Sequence, residues 1–211
     1  MNGDLASTRS RANGESNPFA TRFTRPGAVA FRFPAGPKLP QLVSRLRDTG
    51  GWGQVVGPHG SGKSTLLDEL LPKLACQGFA PTLFALHDRQ RRMPRRWQRS
   101  VPYVDPRAQR TLIVVDGFEQ LSRWNQFCLR RICVYRHWGL LITAHRSHSL
   151  PILFRTATST ALLRELVDSL LPDDSFQITD HQLASLWSQY EGNLRDVFFA
   201  LYDRYEQAKS A

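Results

Sequence analysis

Short apolar runs and amphipathic stretches alternate along most of this chain, which predicts strands and helices in turn. Leu39, Leu42, Val43 and Leu46 recur at helical spacing and stop before Gly50-Gly51, predicting a helix over Leu39 to Arg47. Gln54-Val55-Val56 then reads as a first strand. Leu66, Leu67, Leu70, Leu71 and Leu74 follow as an amphipathic helix that Pro72 should bend and Gly78 end. Further apolar runs at Pro81 to Leu86, Thr111 to Asp116, Leu140 to Thr143 and Pro151 to Arg155 predict more strands.

Between the third and fourth predicted strands, Leu121, Trp124, Cys128, Ile132 and Tyr135 mark the expected inner face of a helix. Arg123, Arg130, Arg131 and Arg136 mark its outer face. After Arg155 the pattern is helical only. One helix is predicted from about Thr160 to Leu171. A second opens with the capping box Thr179-Asp180-His181-Gln182, and a last carries Leu194, Val197, Phe198, Leu201, Tyr202 and Tyr205.

Ahead of this pattern, residues 1–17 hold almost no apolar side chain beyond Leu5 and are expected to be disordered. Residues 18–50 mix Phe19, Phe23, Phe31 and Phe33 with Pro26, Pro34, Pro37 and Pro40, predicting an extended arm with a short strand around Ala28 to Phe33 and then the first helix. Such an arm either lies beside a bound base or covers a sheet edge. The expected division is therefore tail 1–17, arm and short helix 18–50, α/β core 51–158 and helical segment 159–211.

At 211 residues the chain suits one well-buried domain with a small appendage. Cys76, Cys128 and Cys133 form neither an even disulfide set nor a Cys-x-x-Cys pair, which fits a reducing, cytoplasmic setting. No apolar run approaches membrane-spanning length. Net charge is +10, and its placement matters more than its size. Arg89 to Arg164 hold 15 Arg against Asp105, Asp116 and Glu119, whereas residues 165–211 hold 9 acidic and 3 basic side chains. Within the basic block, Arg89, Arg91, Arg92, Arg95, Arg96 and Arg99 crowd a segment that Pro94, Pro102 and Pro106 keep from being one helix. It reads either as a mobile basic loop, with Trp97 and Tyr103 for base stacking, or as a solvated loop facing acidic residues of this chain or a partner protein.

The most specific chemistry lies between the first strand and the Leu-rich helix. Gly57-Pro58-His59-Gly60-Ser61-Gly62-Lys63-Ser64, followed by Thr65, matches G-x-x-x-x-G-K-[ST], a phosphate-binding loop in its required strand-loop-helix setting. Side-chain-free positions let backbone N–H groups wrap a phosphate, Lys63 adds a point charge, and the helix N-terminus favours an anion. Ser64 offers a hydroxyl to Mg2+, and Asp116, ending a buried strand, is expected beside it as the second metal-side group. The alternative for Asp116 is a helix cap. Gly117 stands where a catalytic Glu is often found, so Glu119 is the nearest substitute as water-activating base, unless it merely opens a helix. Thr143, at the tip of the fourth strand, could hydrogen-bond a γ-phosphate. His145 and His148 just beyond read as satisfying loop backbone.

This order of motifs, closing with Gly192-Asn193-Leu194-Arg195, resembles the AAA+ group of P-loop NTPases. The resemblance covers roughly residues 50–205. It implies an α/β, three-layer P-loop NTPase core with a mainly parallel sheet and a small C-terminal helical lid. Gly57 to Thr65 would be the Walker A loop, Leu112 to Asp116 the Walker B strand, Thr143 the first sensor and Arg195 the second. It also implies ATP and Mg2+ as ligands, ATP hydrolysis driving a switch or motor, and homo-oligomers, for which Arg146 and Arg155 are plausibly placed fingers. Gly117 and the short helical tail depart from the group's pattern. Two other readings remain open: a small-molecule or nucleotide kinase, for which Asp88 is the available acceptor-side carboxylate, and a non-hydrolysing nucleotide-binding adaptor.

Overall fold

The computed structural model describes residues 17–33, 38–171 and 176–210; of the tail 1–17 expected to be disordered, residues 1–16 lie outside them, and Asn17 is instead buried and hydrogen-bonded. Two compact units emerge: Pro26–Ser159, and Met1–Arg25 together with Thr160–Ala211.

The larger unit is an α/β fold around a five-stranded, wholly parallel sheet. Its strands are β1 (Trp52–Val56), β2 (Phe79–Ala85), β3 (Arg110–Asp116), β4 (Gly139–Ala144) and β5 (Ile152–Arg155), in spatial order β2-β3-β4-β1-β5. After β1 the chain crosses to the far edge, then returns through β3 and β4 and passes β1 to reach β5. Right-handed crossovers in opposite directions put helices on opposite faces.

Alternation along the strands shows both layers. Val55, Leu112, Val114, Leu141 and Leu153 pack with α2 (Leu39–Asp48) and α3 (Lys63–Ala75), the second and third helices after the single turn α1 (Thr21–Thr24). Ile113, Val115, Leu140 and Ile142 point the other way, onto Phe118, Leu121, Leu129 and Cys133 around α4 (Arg123–Tyr135). Burial pushes the Cys133 thiol up to about 12, consistent with its role as a packing residue.

Two expectations fail here. No strand forms over Ala28–Phe33; only an isolated bridge joins Pro26 and Val29, and Phe31 N–H donates to Glu69 Oε1 on α3 instead of to a ladder. The inner face of α4 is also rotated from its expected position. Leu129 and Cys133 are buried, whereas Trp124 is 71 % and Tyr135 85 % exposed. The true stripe includes the polar Gln126, whose Nε2 donates to the Phe118 and Leu121 carbonyls, and hydropathy spacing rejects such a position. Trp124 and Phe127 stack on each other on the outer face at 5.8 Å.

The second unit contains α5 (Thr160–Leu170), α6 (Asp180–Gln189) and α7 (Leu194–Ser210). The Thr179 and Gln182 capping box forms as expected. The first part of the arm belongs with these helices: Phe19 is buried against Phe176, Phe198 and Tyr205, and Asn17 Nδ2 donates to the Tyr202 carbonyl and to Glu206. Among the described residues no helix is long and apolar enough to cross a membrane.

Candidate functional site

The C-terminal ends of β1, β3, β4 and β5 converge, and each contributes to one polar cluster, as expected at the switch point of an open α/β sheet. From β1 comes the loop Gly57–Gly62, and Lys63 to Thr65 form the first turn of α3. Gly60 and Gly62 take left-handed backbone, at φ +66° and +82°. Gly57 is glycine for a different reason, since a Cβ there would sit 2.0 Å from Thr156 Oγ1. Thr156, immediately after β5, is buried and shares a 2.6 Å hydrogen bond with Ser61, whose hydroxyl lies 2.8 Å from the Pro58 carbonyl. A Thr at a strand end carries no motif signal, so sequence reasoning missed this brace.

Lys63 is buried, and its ammonium donates to the Gly57 carbonyl at 2.8 Å and the Pro58 carbonyl at 2.6 Å. Across from it, Ser64 Oγ donates to Asp116 Oδ2 at 2.6 Å. Residues 52 apart thus meet as the motif requires, and Asp116 does not cap a helix. Thr143 is fully buried; its hydroxyl donates to Asp116 Oδ1 and accepts from Gly117 N–H at 2.9 Å. A hydroxyl has one proton, and here it goes to the carboxylate, so in this structure Thr143 braces Asp116. Asp68, one turn beyond Ser64, titrates higher than usual because burial and the Asp116 charge both disfavour its ionised form.

Gly117 explains the missing acid. Its φ of +83° is left-handed, and a Cβ would meet the Leu86 carbonyl at 3.0 Å, so a Glu there would be strained. That turn leads into a short 3-10 turn, Phe118–Gln120, which carries Glu119 back toward the loop. Glu119 Oε1 meets His145 Nε2 at 2.6 Å. The sequence alone suggests that His145 satisfies loop backbone, yet its Nδ1 lies 3.4 Å from Lys63 Nζ and 3.3 Å from the Gly57 carbonyl, and His59 stacks on its ring with centroids 3.4 Å apart. Nε2 faces a Glu119 oxygen and donates to it, while Nδ1 stands between a donor, the Lys63 ammonium, and an acceptor, the Gly57 carbonyl. Burial above all, then the Lys63 and His59 charges, lowers the His145 pKa against the opposing pull of Glu119 and the Gly57 carbonyl.

The loop after β4 is pinned from inside the sheet. Gln54, fully buried on β1, donates to the His148 and Leu150 carbonyls at 2.7 and 2.5 Å and accepts from His148 N–H at 2.9 Å. The signal available in the sequence was a Gln inside an otherwise apolar strand. His148 itself packs edge-on to Phe118, and burial followed by the Arg130 charge lowers its pKa.

On the arm, Phe31 joins Phe33 and Phe154 in an edge-to-face cluster and lies 3.2 Å from where a Gly62 Cβ would be. It packs against the core side of the loop.

Within the Arg-rich segment the two aromatics part. Trp97 is buried against Phe84 and Trp138, so it is a core anchor and does not stack bases, whereas Tyr103 is 95 % exposed. Ser122 N–H to the Arg91 carbonyl and Gln120 to Asp88 tie the segment down further, so it is anchored at several points and not a free loop. Arg89, Arg91, Arg92, Arg95, Arg96 and Arg99 are all exposed, as are Arg146 and Arg155. Arg195 is exposed on the first turn of α7, in the second unit. Among the described residues no group of three or more His, Cys, Asp or Glu side chains could hold a metal ion by itself.

No family model matches the chain, and no curated protein matches its sequence. Among solved structures, one with a similar arrangement is NtrX from Brucella abortus in complex with ATP, at 12 % identity and a TM-score of 0.49. The match covers 81 % of this chain and 52 % of that one, so the chain spans about half the length of that structure.

Proposed function

We propose that this protein is a P-loop NTPase that binds ATP with Mg2+ and hydrolyses it as a conformational switch or motor component. The observation that carries this reading is the 2.6 Å bond from Ser64 to Asp116, which sets a hydroxyl and a carboxylate side by side at the foot of a buried lysine loop. This donor pair suits Mg2+, because two neighbouring oxygens of an octahedral ion with bonds of about 2.1 Å lie about 3 Å apart. Ser64 and Asp116 would hold the ion, directly or through its waters. Bound there, Mg2+ would neutralise charge developing on the β and γ phosphates. Lys63 would exchange its bonds to the Gly57 and Pro58 carbonyls for phosphate oxygens, while N–H groups of Gly60 to Thr65 wrap the anion. Arg195 would report nucleotide state to the helical unit, and the exposed Arg89 to Arg99 group would engage nucleic acid or another polyanion.

The test is binding of a fluorescent ATP analogue and phosphate release, each with and without Mg2+. Lys63→Ala is expected to lower affinity roughly 10- to 100-fold, because it removes charge-assisted bonds worth about 1.5–3 kcal/mol. Unchanged affinity and turnover in that variant would end this reading.

A further inference from the structure

We infer that His145 Nδ1 is the general base of ATP hydrolysis and that Glu119 is its positioning residue, so that a carboxylate–imidazole pair replaces the single carboxylate disfavoured at position 117. The inference rests on the nucleotide reading above. Its first support is where Glu119 goes: the left-handed turn at Gly117 delivers its Oε1 to His145 Nε2, while its Oε2 is buried without a hydrogen-bond partner. The carboxylate's bond is therefore to the imidazole, and the imidazole is the group that reaches the phosphate loop.

The second support is the place of the other ring nitrogen. In the tautomer that carries its proton on Nε2, Nδ1 offers its lone pair to the Lys63 ammonium 3.4 Å away. Once that ammonium turns to a phosphate oxygen, the lone pair is released beside the loop. The Gly57 carbonyl, 3.3 Å from Nδ1, is in place to accept the proton that Nδ1 gains. Burial keeps the ring neutral and able to take a proton at neutral pH. Gln54, through its bonds to the Leu150 and His148 backbone, fixes the loop on which the ring is mounted.

The step balances. A water oxygen forms a bond to the γ phosphorus as the bridging P–O bond breaks, and the bridging electron pair leaves with ADP. The water proton moves to His145 Nδ1. The resulting imidazolium donates from Nε2 to the Glu119 carboxylate and from Nδ1 to the Gly57 carbonyl, then gives its extra proton to the departing phosphate or to solvent.

The experiment measures ATP·Mg2+ affinity and steady-state phosphate release of the full chain across pH 5 to 9, for the wild type, His145→Ala and Glu119→Gln. His145→Ala is expected to keep its affinity within about threefold while turnover falls about 10^2- to 10^4-fold, with added imidazole restoring part of the loss. The groups facing His145 are Lys63 and His59, which lower its pKa, and Glu119, which raises it. Wild-type turnover should therefore fall as pH drops through a value below 6.5, and Glu119→Gln should move that limb to still lower pH. A merely structural Glu119 would leave the limb in place. His145→Ala turnover within threefold of wild type, or a loss without imidazole rescue and an unmoved acid limb, overturns the inference. Wild-type protein that binds ATP without turning it over also overturns it and leaves the nucleotide seat standing, whereas protein that binds no ATP removes both.

Discussion

The phosphate loop and the Arg-rich segment are both conspicuous in the sequence, but the structure treats them differently. Around the loop, Ser64, Asp116 and Thr143 form one hydrogen-bonded set and Lys63, His145 and Glu119 a second, and all six are buried or half-buried. In the segment from Arg89 to Arg99 the guanidinium groups are exposed, and the order comes from the Trp97 indole below them and from the bonds to the Arg91 carbonyl and to Asp88. A site that must wrap a phosphate needs particular residues at particular spacings, so it leaves a readable trace. A surface that attracts an anion needs only charge, which screening and flexible side chains make tolerant of position.

Trp97 offers the largest effect for sharpening this contrast. If the segment is held by its core side, Trp97→Ala should destabilise the protein by roughly 3–5 kcal/mol, whereas Tyr103→Ala should change stability by less than about 0.5 kcal/mol. Denaturant unfolding of the two variants measures both. Comparable small losses would mean that the segment is not anchored through the indole.

The same contrast governs what could be read without coordinates. The strands, α2, α3 and the capping box of α6 were legible because period and cap chemistry are local. Ser64 and Asp116 were legible because the motif fixes one and a strand end fixes the other. His145 was not, since a His after a strand has no spacing rule, and its role arises only when β4 lies between β1 and β3 in the sheet. The inner face of α4 was misread because large aromatics outweighed Gln126, which earns its inward place by satisfying two carbonyls. Trp97 was misread for a related reason: arginines on both sides disguised a core residue as part of a binding loop.

Gly117 tests the loop side of the comparison. Installing the acid that resembles the common pattern, Gly117→Glu, should not raise phosphate release. The side chain would need left-handed backbone and would press on the Leu86 carbonyl, for a loss of roughly 1–3 kcal/mol in stability. It would also disturb the N–H bond to Thr143 and the turn that presents Glu119. A variant that is stable and faster would show that position 117 tolerates the carboxylate and that the Glu119 and His145 route is dispensable.

The smallest stability effect belongs to the exposed arginines, and it decides what that surface is for. Replacing Arg91, Arg92, Arg95 and Arg96 together by Gln removes four charges that make no ion pair within 4.0 Å among the described residues. Because exposed side chains without such partners contribute little to folding, the midpoint of unfolding should shift by no more than about 0.5 kcal/mol in equivalent stability. Binding to an oligothymidine should respond differently. Each lost phosphate contact lowers the salt slope by about 0.7 for a single strand, so four would flatten log K against log salt by roughly 3. An unchanged slope with unchanged stability would make these arginines a solvated surface facing no polyanion. A flattened slope would mean that charge alone, without the burial and spacing that define the phosphate loop, suffices for the segment's work.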